Sequence, residues 1–172
     1  MRHDDRQDNR LVTDADHLLV MGAGSGFWHE EETLADDPPL RMLQIFVRPH
    51  SLGLEPEIQH EPIPDPVANE WRHLFGPEGS DAPLSVRNEV DCYDCRLDAG
   101  ATTPLPSRSG RDTYLYVFDG AVEVGGESVG YTESALVTDD DGVSVTATAD
   151  SVVVAFCIDP DAPVTRRGTI GR

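Results

Sequence analysis

The sequence contains no lysine. All thirteen of its basic residues are arginine, against thirty-two acids, which leaves a formal net charge of −19 on 172 residues. Such a charge repels phosphate backbones and anionic lipid, so neither nucleic acid nor a membrane is an expected partner. The acids read instead as a solvated surface suited to high salt, where dense counterions screen self-repulsion. A lysine-free chain fits the same habit, and a halophilic microbial cytoplasm is the expected setting. Long apolar runs are missing as well. The longest, Val152–Ile158, falls far short of the ~18 residues that suggest a membrane span. The opening residues, MRHDDRQDNR, hold no apolar signal segment, so the expected localisation is cytoplasmic.

Cysteine is scarce: three residues, too few for a disulfide framework. Cys92 and Cys95 form a C-x-x-C, which invites a redox or zinc reading. The surrounding SVRNEVDCYDCRLDAG alternates like a strand, however, and positions three apart on a strand face opposite sides of the sheet. Redox pairs of this spacing sit at a helix start, and no second pair exists to complete a zinc site. The expectation is three free thiols, with Cys157 buried in an apolar strand.

Helical periodicity is nearly absent, and what is present is β. Short apolar runs at Leu11–Val12, Leu18–Met21 and Met42–Val47 are separated by polar or glycine-rich turns. From Pro83 onward LSVRNEV, CYDCRL, TYLYVF, AVEVGG, SALVTD, VSVTATA and VVVAFCI recur at the spacing of an all-β sandwich or barrel. Asp119-Gly120 reads as a hairpin turn, and the acidic turn from Asp139 to Gly142 as solvated. PHSLGLEPEIQHEPIPDP, residues 49–66, reads as an extended connector. VANEWRHLFG leaves two alternatives, a short helix capped by Asp65-Pro66 or a strand over Trp71–Phe75. The division expected is a partial unit over 1–48, a connector over 49–80, a complete barrel over 81–160 and a tail over 161–172. A partial unit leaves unpaired edge groups and invites self-association or complementation through that edge.

The densest chemistry lies in GAGSGFWHEE, residues 22–31. His29 and Glu31, two positions apart after a glycine-rich turn, point to one face of an extended strand. Glu30 and Glu32 point away and read as solvated. An imidazole and a carboxylate side by side are half of a metal site. His50, His60 and His73 read as isolated and solvent-facing.

RHDDRQDN, VMGAGSGFWHEE, LQIFVRPHSLGLEPEIQH and the more diverged WRHLFGPEGSDAPLSVRNEVDCYDCRLDAG occur in that order over residues 3–160. Together they resemble the pirin-like bicupin proteins, some of which are similar to quercetin 2,3-dioxygenases and others described as transcription co-regulators. The resemblance implies two cupins, each a jelly-roll or double-stranded β-helix barrel, with a metal held in the first by His-x-His and a later His-x-Glu. His29 and Glu31 match the second pair. The first pair would precede RHDDRQDN, so the first barrel is expected to be partial here and the second complete. His3 matches a non-ligand histidine of the motif, and neither it nor His17 stands in for the missing pair by position.

In the second barrel, cupin spacing counted from Gly100 lands on Pro106-Ser107-Arg108, Thr113 and Gly120. The glycines fit, but no metal ligand remains, since proline or arginine cannot replace a neutral imidazole. Three functional readings follow. One is a metal-dependent, quercetinase-like dioxygenase acting on a flavonol-like small molecule with iron or another divalent first-row metal, substoichiometrically bound by His29 and Glu31; no further catalytic residue is assigned. Another is a non-catalytic cupin acting through a protein partner. The third is a reading frame begun late or split, with the missing strands encoded upstream or on another chain.

Overall fold

The computed structural model describes residues 1–5, 10–138 and 142–166. The acidic turn at 139–141 and the tail from 167 lie outside the described residues. Among the described residues there is no helix. The N-terminal unit consists of β1 (Arg2–Asp4), β2 (Arg10–Val12), β3 (His17–Gly22), β4 (Glu30–Glu32) and β5 (Glu57–Pro62). These strands form two small sheets, β2-β1-β4 and β3-β5, all antiparallel. In the first, β1 pairs with β4 so that His3 lies opposite Glu31.

The remaining strands are β6 (Arg72–Pro77), β7 (Leu84–Val86), β8 (Val90–Leu97), β9 (Thr102–Pro104), β10 (Asp112–Asp119), β11 (Val122–Val124), β12 (Glu127–Val129), β13 (Ser134–Val137), β14 (Ser144–Ala147) and β15 (Ser151–Ile158). They build a six-stranded sheet, β13-β10-β15-β8-β6-β7, facing a four-stranded sheet, β12-β11-β14-β9. In β10 the alternation is plain: Thr113, Leu115 and Val117 are buried, and the residues between them are more exposed. Leu115, Val117, Val122, Val145, Val153 and Ala155 anchor the core between the sheets. β15 is buried almost continuously because it lies between β10 and β8 and is covered on both faces. Its outer residues Val154 and Phe156, with Leu74, Phe75 and Cys92, meet Leu18, Val20, Leu43 and Val47 of the N-terminal part in a second core.

Several sequence expectations resolve here. VANEWRHLFG carries the strand β6, not a helix. Residues 49–80 contribute β5 and β6 to the sheets besides joining the two units. Asp119-Gly120 is a corner between sheets, since β10 and β11 do not pair with one another. Its glycine has φ 80°, and a Cβ there would lie 2.3 Å from the Asp150 carbonyl. The paired hairpin lies just beyond: Val124 faces Glu127 across Gly125-Gly126, both at positive φ, as a two-residue turn of the primed type requires. Cys92 and Cys95 are free and belong to different cores, the consequence of strand alternation.

Candidate functional site

In the N-terminal unit β1 and β4 gather three groups. His3 is 1% exposed, and among the described residues neither of its ring nitrogens has a hydrogen-bond partner. Across the ladder its Nδ1 lies 3.8 Å from Glu31 Oε1. His29, exposed at the entry to β4, stacks on His3 with ring centroids 5.5 Å apart, and Phe27 tilts against His29 at 5.6 Å. Glu30 and Glu32 are exposed on the other face. His29 and Glu31 thus both flank one buried imidazole, which the sequence motif alone had set aside. Among the described residues, no group of three or more His, Cys, Asp or Glu side chains is placed to hold a metal ion.

A second polar cluster closes one end of the C-terminal core. Asp91, from β8, is 0% exposed. His73 Nε2 lies 2.9 Å from its Oδ1, and Arg108 and Arg111 approach Oδ2 at 3.1 and 3.7 Å. These are ion-pair distances, but among the described residues neither Asp91 oxygen has an aligned hydrogen bond. Arg111 also donates to the Glu89 carboxylate at 2.6 Å and the Glu89 carbonyl at 3.0 Å. His73 stacks on Tyr93 at 4.4 Å, and burial, then the Asp91 charge, pushes the Tyr93 phenol above its ordinary pKa. Gly76 makes the close approach feasible: a Cβ there would stand 2.5 Å from Ser80 Oγ and 2.8 Å from Asp91 Oδ1.

The residues at cupin ligand spacing take part in this cap. Thr113 Oγ1 and Cys157 Sγ both donate to the Pro106 carbonyl, at 2.9 and 3.1 Å, and Arg108 reaches Asp91. An arginine–aspartate–histidine ion cluster thus stands where the spacing would place metal ligands. His73 is therefore not an isolated surface residue, and nor is His60, which stacks on His17 at 5.0 Å. Their partners come from other strands, so local sequence carried no signal for them. A cleft of about 320 Å³ lies nearby, lined by residues that include His50, Arg87, Asn88 and Glu89, but Arg87 is already committed to Glu57 at 2.9 Å.

The sequence of residues 73–158, half of the chain, matches the quercetinase C-terminal cupin domain. A pirin-like protein of Caulobacter vibrioides is 30% identical over 154 residues, covering 88% of this chain and 66% of that protein. A putative quercetin 2,3-dioxygenase of Pseudomonas aeruginosa is 29% identical over 155 residues, with the same coverage. The chain therefore spans about two thirds of the length of these curated relatives. Among solved structures, the bacterial pirin YhhW of Escherichia coli, in complex with nickel(II), superposes with a TM-score of 0.82 at 22% identity, covering 92% of this chain and 68% of that one. No helix among the described residues is long and apolar enough to cross a membrane. From the cupin match, the relatives and the shared fold, the chain belongs to the pirin-like family of cupin proteins.

Proposed function

We propose that the N-terminal unit carries part of a divalent-metal centre, and that this chain by itself is at most a weak quercetinase-type dioxygenase. The carrying observation is the placement of His29 and Glu31, which flank the same buried imidazole at the β1–β4 ladder. Imidazole and carboxylate donors suit iron, nickel and other divalent first-row metals. The relatives named as quercetin 2,3-dioxygenases and the nickel-bound pirin support the same reading. When bound, such a metal supplies Lewis-acid chemistry toward an enol oxygen of a flavonol-like substrate. Glu31 contributes negative charge from a largely buried side chain. Phe27 limits the swing of the exposed His29 ring through its tilted contact. Lasting metal sites use three or four protein ligands, so these two alone hold metal weakly.

Elemental analysis of the tag-free chain and oxygen uptake with quercetin test the proposal. The expected result is well under one equivalent of metal, slow uptake at most, and loss of metal binding in His29→Ala. Stoichiometric metal with fast turnover that survives His29→Ala overturns it. The alternative of a partner-binding cupin draws on one observation: Val12, Trp28, Phe46 and Leu52 are more than half exposed around the N-terminal unit. A metal-free, inert chain in the same assays favours that reading.

A further inference from the structure

We propose that Arg108, on the loop that closes one end of the C-terminal cupin unit, is the anchor of a binding site for a small carboxylate. The site is separate from the N-terminal unit and needs no metal. Residues 105–111 join β9 to β10 and cross the end where β8 and β10 begin and β15 finishes. The loop is tied down on both sides of Arg108. Leu105 N–H donates to the Val143 carbonyl at 2.9 Å, and the Pro106 carbonyl accepts from Thr113 and Cys157. On the other side Arg111 holds Glu89 at 2.6 Å, and its backbone N–H donates to the Arg108 carbonyl at 3.0 Å. A short loop anchored in this way presents its middle side chain from a fixed base, and barrel mouths are common places for small ligands.

The side chain presented is a guanidinium, with five N–H donors in a planar fork. Asp91 lies behind it at 3.1 Å, and the Tyr93 hydroxyl also bonds to it. Among the described residues these are its polar partners, and 46% of the side chain is exposed, so part of the fork faces water. A carboxylate matches such a fork, taking two parallel charge-assisted bonds. Because Asp91 and Tyr93 already hold the arginine, less ordering remains to be done when a ligand arrives. Basic residues are scarce here, thirteen against thirty-two acids, yet two arginines and a histidine meet at this one point. Stability alone explains the concentration poorly. A buried ion cluster is often no better than apolar packing. Among the described residues, His73 Nε2 and both Asp91 oxygens also lack an aligned hydrogen bond, which adds to the cost. Asp91 offsets the charge of one arginine, so recognition comes from the direction of the donors and not from net positive charge. A purely structural clamp on Asp91 is the competing account, and it calls for no response to a ligand.

Acetate serves as probe, with acetamide as its neutral counterpart and inorganic phosphate as a second anion, each added at constant ionic strength. Nitrogen-15 NMR of the tag-free, arginine-labelled chain follows the guanidinium Nε signals, and calorimetry gives the affinity. The expected result is one Nε signal that shifts with acetate along a saturating curve and stays still with acetamide. Arg108→Lys keeps the charge but loses the fork, and should weaken acetate about tenfold or more. Arg96→Lys, on the exposed surface, should leave acetate binding unchanged. A linear drift shared by many arginines, or a saturating shift kept at full affinity in Arg108→Lys, overturns the proposal. An equal response to acetamide overturns it too, and phosphate binding as tightly as acetate marks a general anion contact and overturns the carboxylate assignment. Should Arg108→Lys fail to fold, the unsubstituted chain still decides. A cross-peak from the saturating guanidinium to the Tyr93 ring supports the assignment, and a saturating guanidinium without one refutes it.

Discussion

Replacing Asp91 with asparagine tests whether the buried ion cluster holds the C-terminal core together. The side chain is fully buried, with His73 at 2.9 Å, Arg108 at 3.1 Å and Arg111 at 3.7 Å. Asparagine keeps the volume and removes the charge, so the loss is electrostatic and not a cavity. Breaking a buried ion pair by deleting one partner costs about 3–5 kcal/mol. Two features reduce that figure here. Arg108 is 46% exposed and regains water, and Arg111 retains Glu89 at 2.6 Å. The expected cost is therefore about 2–3 kcal/mol. For a chain of this size each kcal/mol moves Tm by about 2–4 °C, so Tm should fall by about 4–12 °C. Arg108→Ala leaves the fully buried Asp91 carboxylate with Arg111 at 3.7 Å as its remaining arginine, so it too should destabilise, by about 1–3 kcal/mol. Scanning calorimetry at neutral pH and fixed salt measures both. A Tm for Asp91→Asn within about 2 °C of the parent, or an Arg108→Ala variant as stable as the parent, would refute the reasoning.

Salt should stabilise the protein: with a net charge of −19, Tm should rise from dilute buffer to molar potassium chloride as repulsion is screened, and a flat or falling series counts against a salt-adapted surface. The thiols should be inert in the native state and react only on unfolding, since burial pushes Cys92 and Cys157 up and holds Cys95 at about 11 against an ordinary 9.0. Because the folded chain keeps these protons longer than the unfolded one, their stabilisation is intact below the ordinary thiol pKa and is lost as pH rises from about 9 to about 11. Thermal melts of the parent and Cys95→Ala across that range check the sign: the parent should lose stability more steeply.

The β character of the chain was legible in its sequence, because alternation and turn residues are local properties. TYLYVF and VVVAFCI announce β10 and β15 without reference to any neighbour, and C-x-x-C on an alternating strand settles that Cys92 and Cys95 part to opposite faces. The motif around His29 and Glu31 was equally readable, since both residues lie on one short stretch. Strand pairing was not. Periodicity says which face a side chain takes, but pairing and register are chosen by contacts between residues far apart in the chain. That choice set His3 opposite Glu31, brought His73 and two arginines onto Asp91, and made Asp119-Gly120 a corner between sheets. Composition determined the charge the surface carries. Only the tertiary structure decided which of those charges are buried together, because burial is a property of the packed neighbours and not of the residue.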